Sequence, residues 1–159
     1  MKSNHISYRK VLFVCLANAS RSVIAECLFN SHIERTCLKR KGIIARSAGI
    51  DKQWSGKPIA KETQLVLSEL GVYTDGRFCQ HINQELVDWA ELILTMETKH
   101  NEYLEKHFPL QMGKVFLLGQ FLGEGYDIPD PYQLGIEAYR TCVDYLLRMV
   151  RLLFEQIRP

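Results

Sequence analysis

The sequence predicts an α/β fold in which a parallel sheet is covered on both faces by helices, and three observations support this. Short apolar runs at residues 11–15, 43–45, 92–96 and 115–118 are bounded by polar or turn residues, the pattern of strands buried in a parallel sheet. Segments with apolar residues at helical spacing lie between them, so strand and helix alternate. The chain has 159 residues, 47% of them hydrophobic, which suits one core, and a single domain over residues 1–159 is expected.

The first strand, VLFVC, ends at Cys15. A helix is expected to begin near Ser22 and to run through Val23, Ile24, Cys27 and Leu28 to the basic cluster Lys39, Arg40, Lys41 before Gly42, since cations and a following glycine suit a helix C-terminus. Pro58 takes an expected first helical position, with Ile59, Thr63, Val66 and Leu70 on one face and Gly71 beyond. A third helix is expected over 98–108, stopped by Pro109. In the last, Ile136, Tyr139, Val143, Leu146, Val150, Leu153 and Ile157 form one stripe that must cover the sheet. The glycine- and proline-rich stretch 119–133 reads as a long loop, a common carrier of function.

Composition excludes several classes. The 20 basic and 18 acidic side chains leave a net charge of +2, too little for wholesale nucleic-acid binding. No apolar run approaches the roughly 18 residues of a membrane span, and the polar first ten residues are unlike a signal peptide, so a cytoplasmic protein with no membrane partner is expected. Cys15, Cys27, Cys37, Cys79 and Cys142 are scattered, with no Cys-x-x-Cys pair, and Cys79 and His81 have no second pair nearby. Neither a disulfide scaffold nor a metal site is expected, and no cofactor is called for.

The chemistry concentrates at Cys15. VLFVCLANASRSVIAE places this thiol at the carboxyl end of a strand, then five residues, then Arg21 and Ser22 where a helix begins, the place where open α/β sheets bind ligands. Leu16, Ala17, Asn18, Ala19 and Ser20 can turn their amides inward as an anion nest at the positive end of the helix dipole. That field favours a phosphate and a thiolate together. Arg21 presents a planar fork matched to two phosphoryl oxygens. Asn18 tolerates the left-handed conformation a tight loop needs. Ser22 either donates to the sulfur or caps the helix. Cys142 and Arg148 repeat the spacing, but inside a continuous helical stripe that cannot form a nest, so Cys142 is expected in the core.

CLANASRS with its helix, SAG at Ser47 to Gly49, ILTME at Ile93 to Glu97 and DPY at Asp130 to Tyr132 resemble a low-molecular-weight protein tyrosine phosphatase over nearly the whole chain. ILTMETKH and IPDPY are similar to the bacterial members that accompany tyrosine autokinases of exopolysaccharide or capsule export. The resemblance implies a three-layer sandwich of flavodoxin-like topology with a four-stranded parallel sheet. It also implies Cys15 as nucleophile, Arg21 as phosphate clamp and Asp130 as general acid, with Ser47 bracing Asn18 and Tyr132 walling the substrate ring. Trp54 is a candidate for the opposite wall, or an ordinary exposed or core aromatic. A phosphotyrosine-containing protein is the implied partner, a cognate autokinase among the candidates, and a monomer is expected. Nothing in the spacing shows that Asp130 meets Cys15, and Asp127 is the alternative acid.

Ala17, Ser20 and Val23 stand where family members have glycine, a second loop cysteine and proline. A Cβ at Ala17 would resist positive φ. The rival readings are a non-catalytic phosphotyrosine binder with a decayed loop, an arsenate reductase, which needs relay cysteines beyond Cys79, and an FMN-binding module, in which a loop Cys and Arg have no role.

Overall fold

The computed structural model of the chain describes residues 7–36, 38 and 41–157. Strands β1 (Lys10–Cys15), β2 (Ile44–Gly49), β3 (Leu92–Thr95) and β4 (Val115–Leu117) form a parallel sheet in the order β2-β1-β3-β4. From β1 the chain goes to one side for β2 and to the other for β3, so the carboxyl end of β1 is the switch point where such sheets bind ligands.

Successive β1 side chains alternate between two buried layers. Val11, Phe13 and Cys15 join the core built with α1 (Arg21–Glu34), α2 (Lys61–Ser68) and α6 (Ile136–Gln156). Leu12 and Val14 join the opposite core, with α3 (Gln84–Trp89) and α4 (Thr98–His107). Residues Val11 to Val14 are wholly buried, as the unbroken apolar run requires. The last helix follows its predicted stripe, burying Tyr139, Val143, Leu146, Val150 and Leu153.

Several expected boundaries are corrected. α1 stops at Glu34, short of the basic cluster, because the Thr36 hydroxyl and amide both take the Ile33 carbonyl (3.2 Å each). Cys37, Lys39 and Arg40 lie outside the described residues. α2 begins at Lys61 rather than Pro58, because Pro58 is extended in an antiparallel bridge with Phe78 and Ile59 N–H donates to the Arg77 carbonyl. β2 continues past Ala45 to Gly49, its polar Ser47 turned into the protein. The short α3 is capped by Asn83, whose side chain accepts from Leu86 N–H (2.8 Å), and α5 (Leu118–Phe121) occupies the start of the expected long loop. Among the described residues no helix is long and apolar enough to cross a membrane.

Candidate active site

Five residues join β1 to α1, and hydrogen bonds to the surrounding loops hold them from outside. The carbonyls of Cys15, Leu16 and Ala19 accept from the amides of Ile50 (3.0 Å), Asp51 (2.8 Å) and Ala60 (3.1 Å), and the Thr63 hydroxyl also donates to Ala19 O (2.9 Å). Asn18 takes the left-handed conformation (φ 58°), and its N–H points back at Cys15 Sγ (3.3 Å). A Cβ on Gly49 would lie 2.5 Å from the Ala17 carbonyl carbon and 2.7 Å from Asn18 N, so the loop rests on bare backbone. Among the described non-glycine residues only Asn18 and Gln133 have positive φ. The Ala17 methyl therefore imposes no left-handed strain, contrary to the expectation.

The Asn18 side chain ties the loop from behind. Nδ2 donates to Ser22 Oγ (2.9 Å) and Ser47 Oγ (2.8 Å), while Oδ1 accepts from Gln80 N–H (2.8 Å). Ser47 Oγ donates to Glu26, which also pairs with Arg77, and Arg77 Nη2 donates to Ser47 Oγ (3.1 Å). Ser22 Oγ lies 3.0 Å from Cys15 Sγ. Ser22 is not the helix cap: that position belongs to Ser20, and Ser22 is buried in the first turn. Asn18, Ser22 and Ser47 thus stand behind the loop rather than on the cavity surface. Sequence reasoning missed Glu26 and Arg77; the only trace was Glu26 sharing a helical face with Ser22 four residues earlier.

Arg21 gathers the remaining groups. Its side chain is buried, with Nη1 donating to Glu97 Oε1 and to the Ile128 carbonyl (2.8 Å) and Nη2 donating to Asp130 Oδ2 (3.0 Å). Burial opposes its charge, but Cys15, Asp130 and Glu97 outweigh this and raise the guanidinium above its ordinary value. Burial likewise pushes Glu97 up, and the Arg21 hydrogen bond and charge overcome it, leaving the carboxyl below its usual range. Asp127 is occupied elsewhere, accepting from Thr98 N–H (3.0 Å) and Oγ1 (2.9 Å) at the start of α4. Glu97 ends the ILTME motif, and nothing local in sequence marks it as a partner of Arg21.

Cys15 to Ala17, Ala19 to Arg21, Trp54, Asp130 and Tyr132 line one cavity of about 200 Å³. Trp54 and Tyr132 meet edge to face, ring centres 5.7 Å apart, so the cavity has an aromatic wall above a thiol, a guanidinium and a carboxylate. A larger apolar hollow of about 520 Å³ lies between the Asp130 loop and α6. It offers no comparable chemistry: Cys142 is core there, its thiol pushed up to about 12 by burial. Cys79 donates to the Pro58 carbonyl (3.7 Å), and Cys15, Cys27, Cys79 and Cys142 are all free thiols.

The profile of the family described as "Low molecular weight phosphotyrosine protein phosphatase" matches residues 10–159. A protein-arginine-phosphatase of Geobacillus stearothermophilus is 31% identical over 94% of this chain and 96% of its own. The low molecular weight protein-tyrosine-phosphatase Wzb of Escherichia coli K12 is 31% identical over 91% and 92%. The crystal structure of a low molecular weight protein tyrosine phosphatase from T. tengcongensis superposes with a TM-score of 0.85 at 31% identity, covering 92% of this chain and 97% of the other.

Proposed function

Since the chain belongs to the low molecular weight phosphotyrosine protein phosphatase family, we propose that it hydrolyses phosphotyrosine in proteins through a phosphocysteine formed on Cys15, with Arg21 as clamp and Asp130 as acid and base. The observation that carries the assignment is the 3.0 Å contact between Arg21 Nη2 and Asp130 Oδ2 in the cavity that Cys15 lines. It joins groups 109 residues apart around one reaction centre.

In the first step Cys15 Sγ attacks phosphorus, an S–P bond forms, the P–O bond to the ring breaks, and protonated Asp130 gives its proton to the phenol oxygen. In the second, Asp130 takes a proton from water, whose oxygen attacks phosphorus and expels the sulfur as thiolate. Arg21 spans the equatorial oxygens throughout. A dianion claiming Arg21 also loosens its pair with Asp130, leaving that carboxyl free to turn toward the leaving oxygen. The charge is carried by the protein's own cation and amides, so chelators should leave activity unchanged.

The Trp54–Tyr132 wall supports a flat aryl phosphate as substrate. We further take residues 1–159 as one phosphatase domain, monomeric and cytoplasmic, with a tyrosine autokinase of polysaccharide export among its phosphoprotein partners. Steady-state hydrolysis of phosphotyrosine, phosphoserine and phosphoarginine peptides, with Cys15→Ser as control, tests the reading. Phosphotyrosine should have the highest kcat/KM, and Cys15→Ser should bind phosphate without turnover. Preference for phosphoarginine would overturn the substrate, and an active Cys15→Ser would overturn the mechanism.

A further inference from the structure

His100 is a buried histidine with no role in the chemistry above. Its side chain is wholly buried in the first turn of α4. Nδ1 accepts from Glu97 N–H (3.1 Å), which places the ring proton on Nε2. That Nε2–H makes no hydrogen bond, an uncommon state for a buried donor. The acceptor it faces is Glu97 Oε1, 3.9 Å away, the same oxygen that Arg21 Nη1 occupies. Glu97 Oε2 is held separately by Lys99 Nζ (3.2 Å).

We propose that His100 is a positioning residue for Arg21: its Nε2–H takes over Glu97 Oε1 when a phosphoryl group claims the Arg21 guanidinium. A bound dianion draws Nη1 toward its own oxygens and brings negative charge toward Glu97. Glu97 then keeps Lys99 and the His100 backbone N–H, but a part-buried carboxylate that gives up a guanidinium hydrogen bond is left short of a donor at a cost. A closure of about 1 Å brings Nε2–H into hydrogen-bond range and fixes Glu97 without recalling Arg21. The inference rests on Arg21 clamping the phosphoryl group. It goes further in naming what permits Arg21 to change partners.

Two variants separate this role from the capping role. His100→Asn can keep an acceptor for Glu97 N–H but has no donor at the Nε2 position, while His100→Gln reaches that position with an amide N–H and gives up the cap. The inhibition constant for inorganic phosphate should rise about tenfold in His100→Asn, with kcat/KM for p-nitrophenyl phosphate falling by as much and the thermal midpoint preserved, the scale of one hydrogen bond to a charged group. His100→Gln should keep its inhibition constant within about twofold at a lowered thermal midpoint. Wild-type values in His100→Asn would overturn the role while leaving the catalytic assignment intact, since Cys15→Ser tests that separately. Should His100→Asn fail to fold, the Nε2–H proton resonance of the wild-type enzyme decides. Vanadate should shift it downfield and slow its exchange, and no change on saturation would overturn the proposal.

Discussion

Ser22 Oγ lies 3.0 Å from Cys15 Sγ and also accepts from Asn18 Nδ2, and against a thiolate the hydroxyl is the donor. In the proposed mechanism the same bond stabilises a thiolate nucleophile and assists the departure of sulfur from phosphorus. In Ser22→Ala the hydrolysis of phosphocysteine should slow, lowering kcat about ten- to hundredfold. Rapid-mixing kinetics on p-nitrophenyl phosphate should then show a burst approaching one product per enzyme. A steady state unchanged from wild type would remove Ser22 from the mechanism.

Asp130→Asn keeps the size of the side chain and removes the transferable proton. For phenyl phosphate kcat should fall by roughly 10²–10⁴-fold. The loss should shrink along a series of more acidic phenols, which leave without protonation. A uniform loss across the series would mean that Asp130 serves only to hold Arg21.

Gly49→Ala tests the support of the loop rather than its chemistry. The added methyl meets Ala17 and Asn18 backbone, which cannot yield as a flexible side chain would, so about 1–3 kcal/mol of stability should be lost. Urea unfolding measures the cost, and phosphate binding should weaken in the protein that remains folded. Unchanged phosphate affinity would show that the loop tolerates displacement at that point.

His100 also links stability to pH. Burial, aided by Arg21 and Lys99 against Glu97 and Asp127, holds its imidazole down to about 4 from an ordinary 6.5. As pH falls below 6.5 the unfolded chain takes up a proton that the folded one refuses until about pH 4. Stability present above pH 6.5 is therefore lost between 6.5 and 4 and levels off below, at about 1.4 kcal/mol per pH unit at most. Urea midpoints across this range should show the slope in wild type and a shallower one in His100→Asn. Parallel slopes would assign the acid sensitivity to other groups.

The site was readable in sequence where its parts are adjacent. Cys15, Arg21 and Ser22 fall within eight residues between an apolar strand and a helix, and Asn18 sits at the one loop position needing positive φ. Glu97, Glu26, Arg77 and His100 escaped, because a polar side chain on a helix, at its cap or in a connecting loop reads as solvated until packing buries it. Helix ends slipped for a related reason: the Thr36 hydroxyl competing for Ile33 O, and the bridge at Pro58, act against the propensities that placed those boundaries.

The order of residues was enough to determine a parallel α/β layer structure and a thiol held at the positive end of a helix, because strand period, helix period and a five-residue turn are local properties of the chain. Spacing could not choose between Asp127 and Asp130. Folding separates the two in space: it carries the end of β3 and the loop before α6 to the switch point of the sheet, so that Arg21 reaches Asp130 while Thr98 retains Asp127. Contacts across a hundred residues depend on how helices pack over strands, and packing is a property of the whole core rather than of any segment in it.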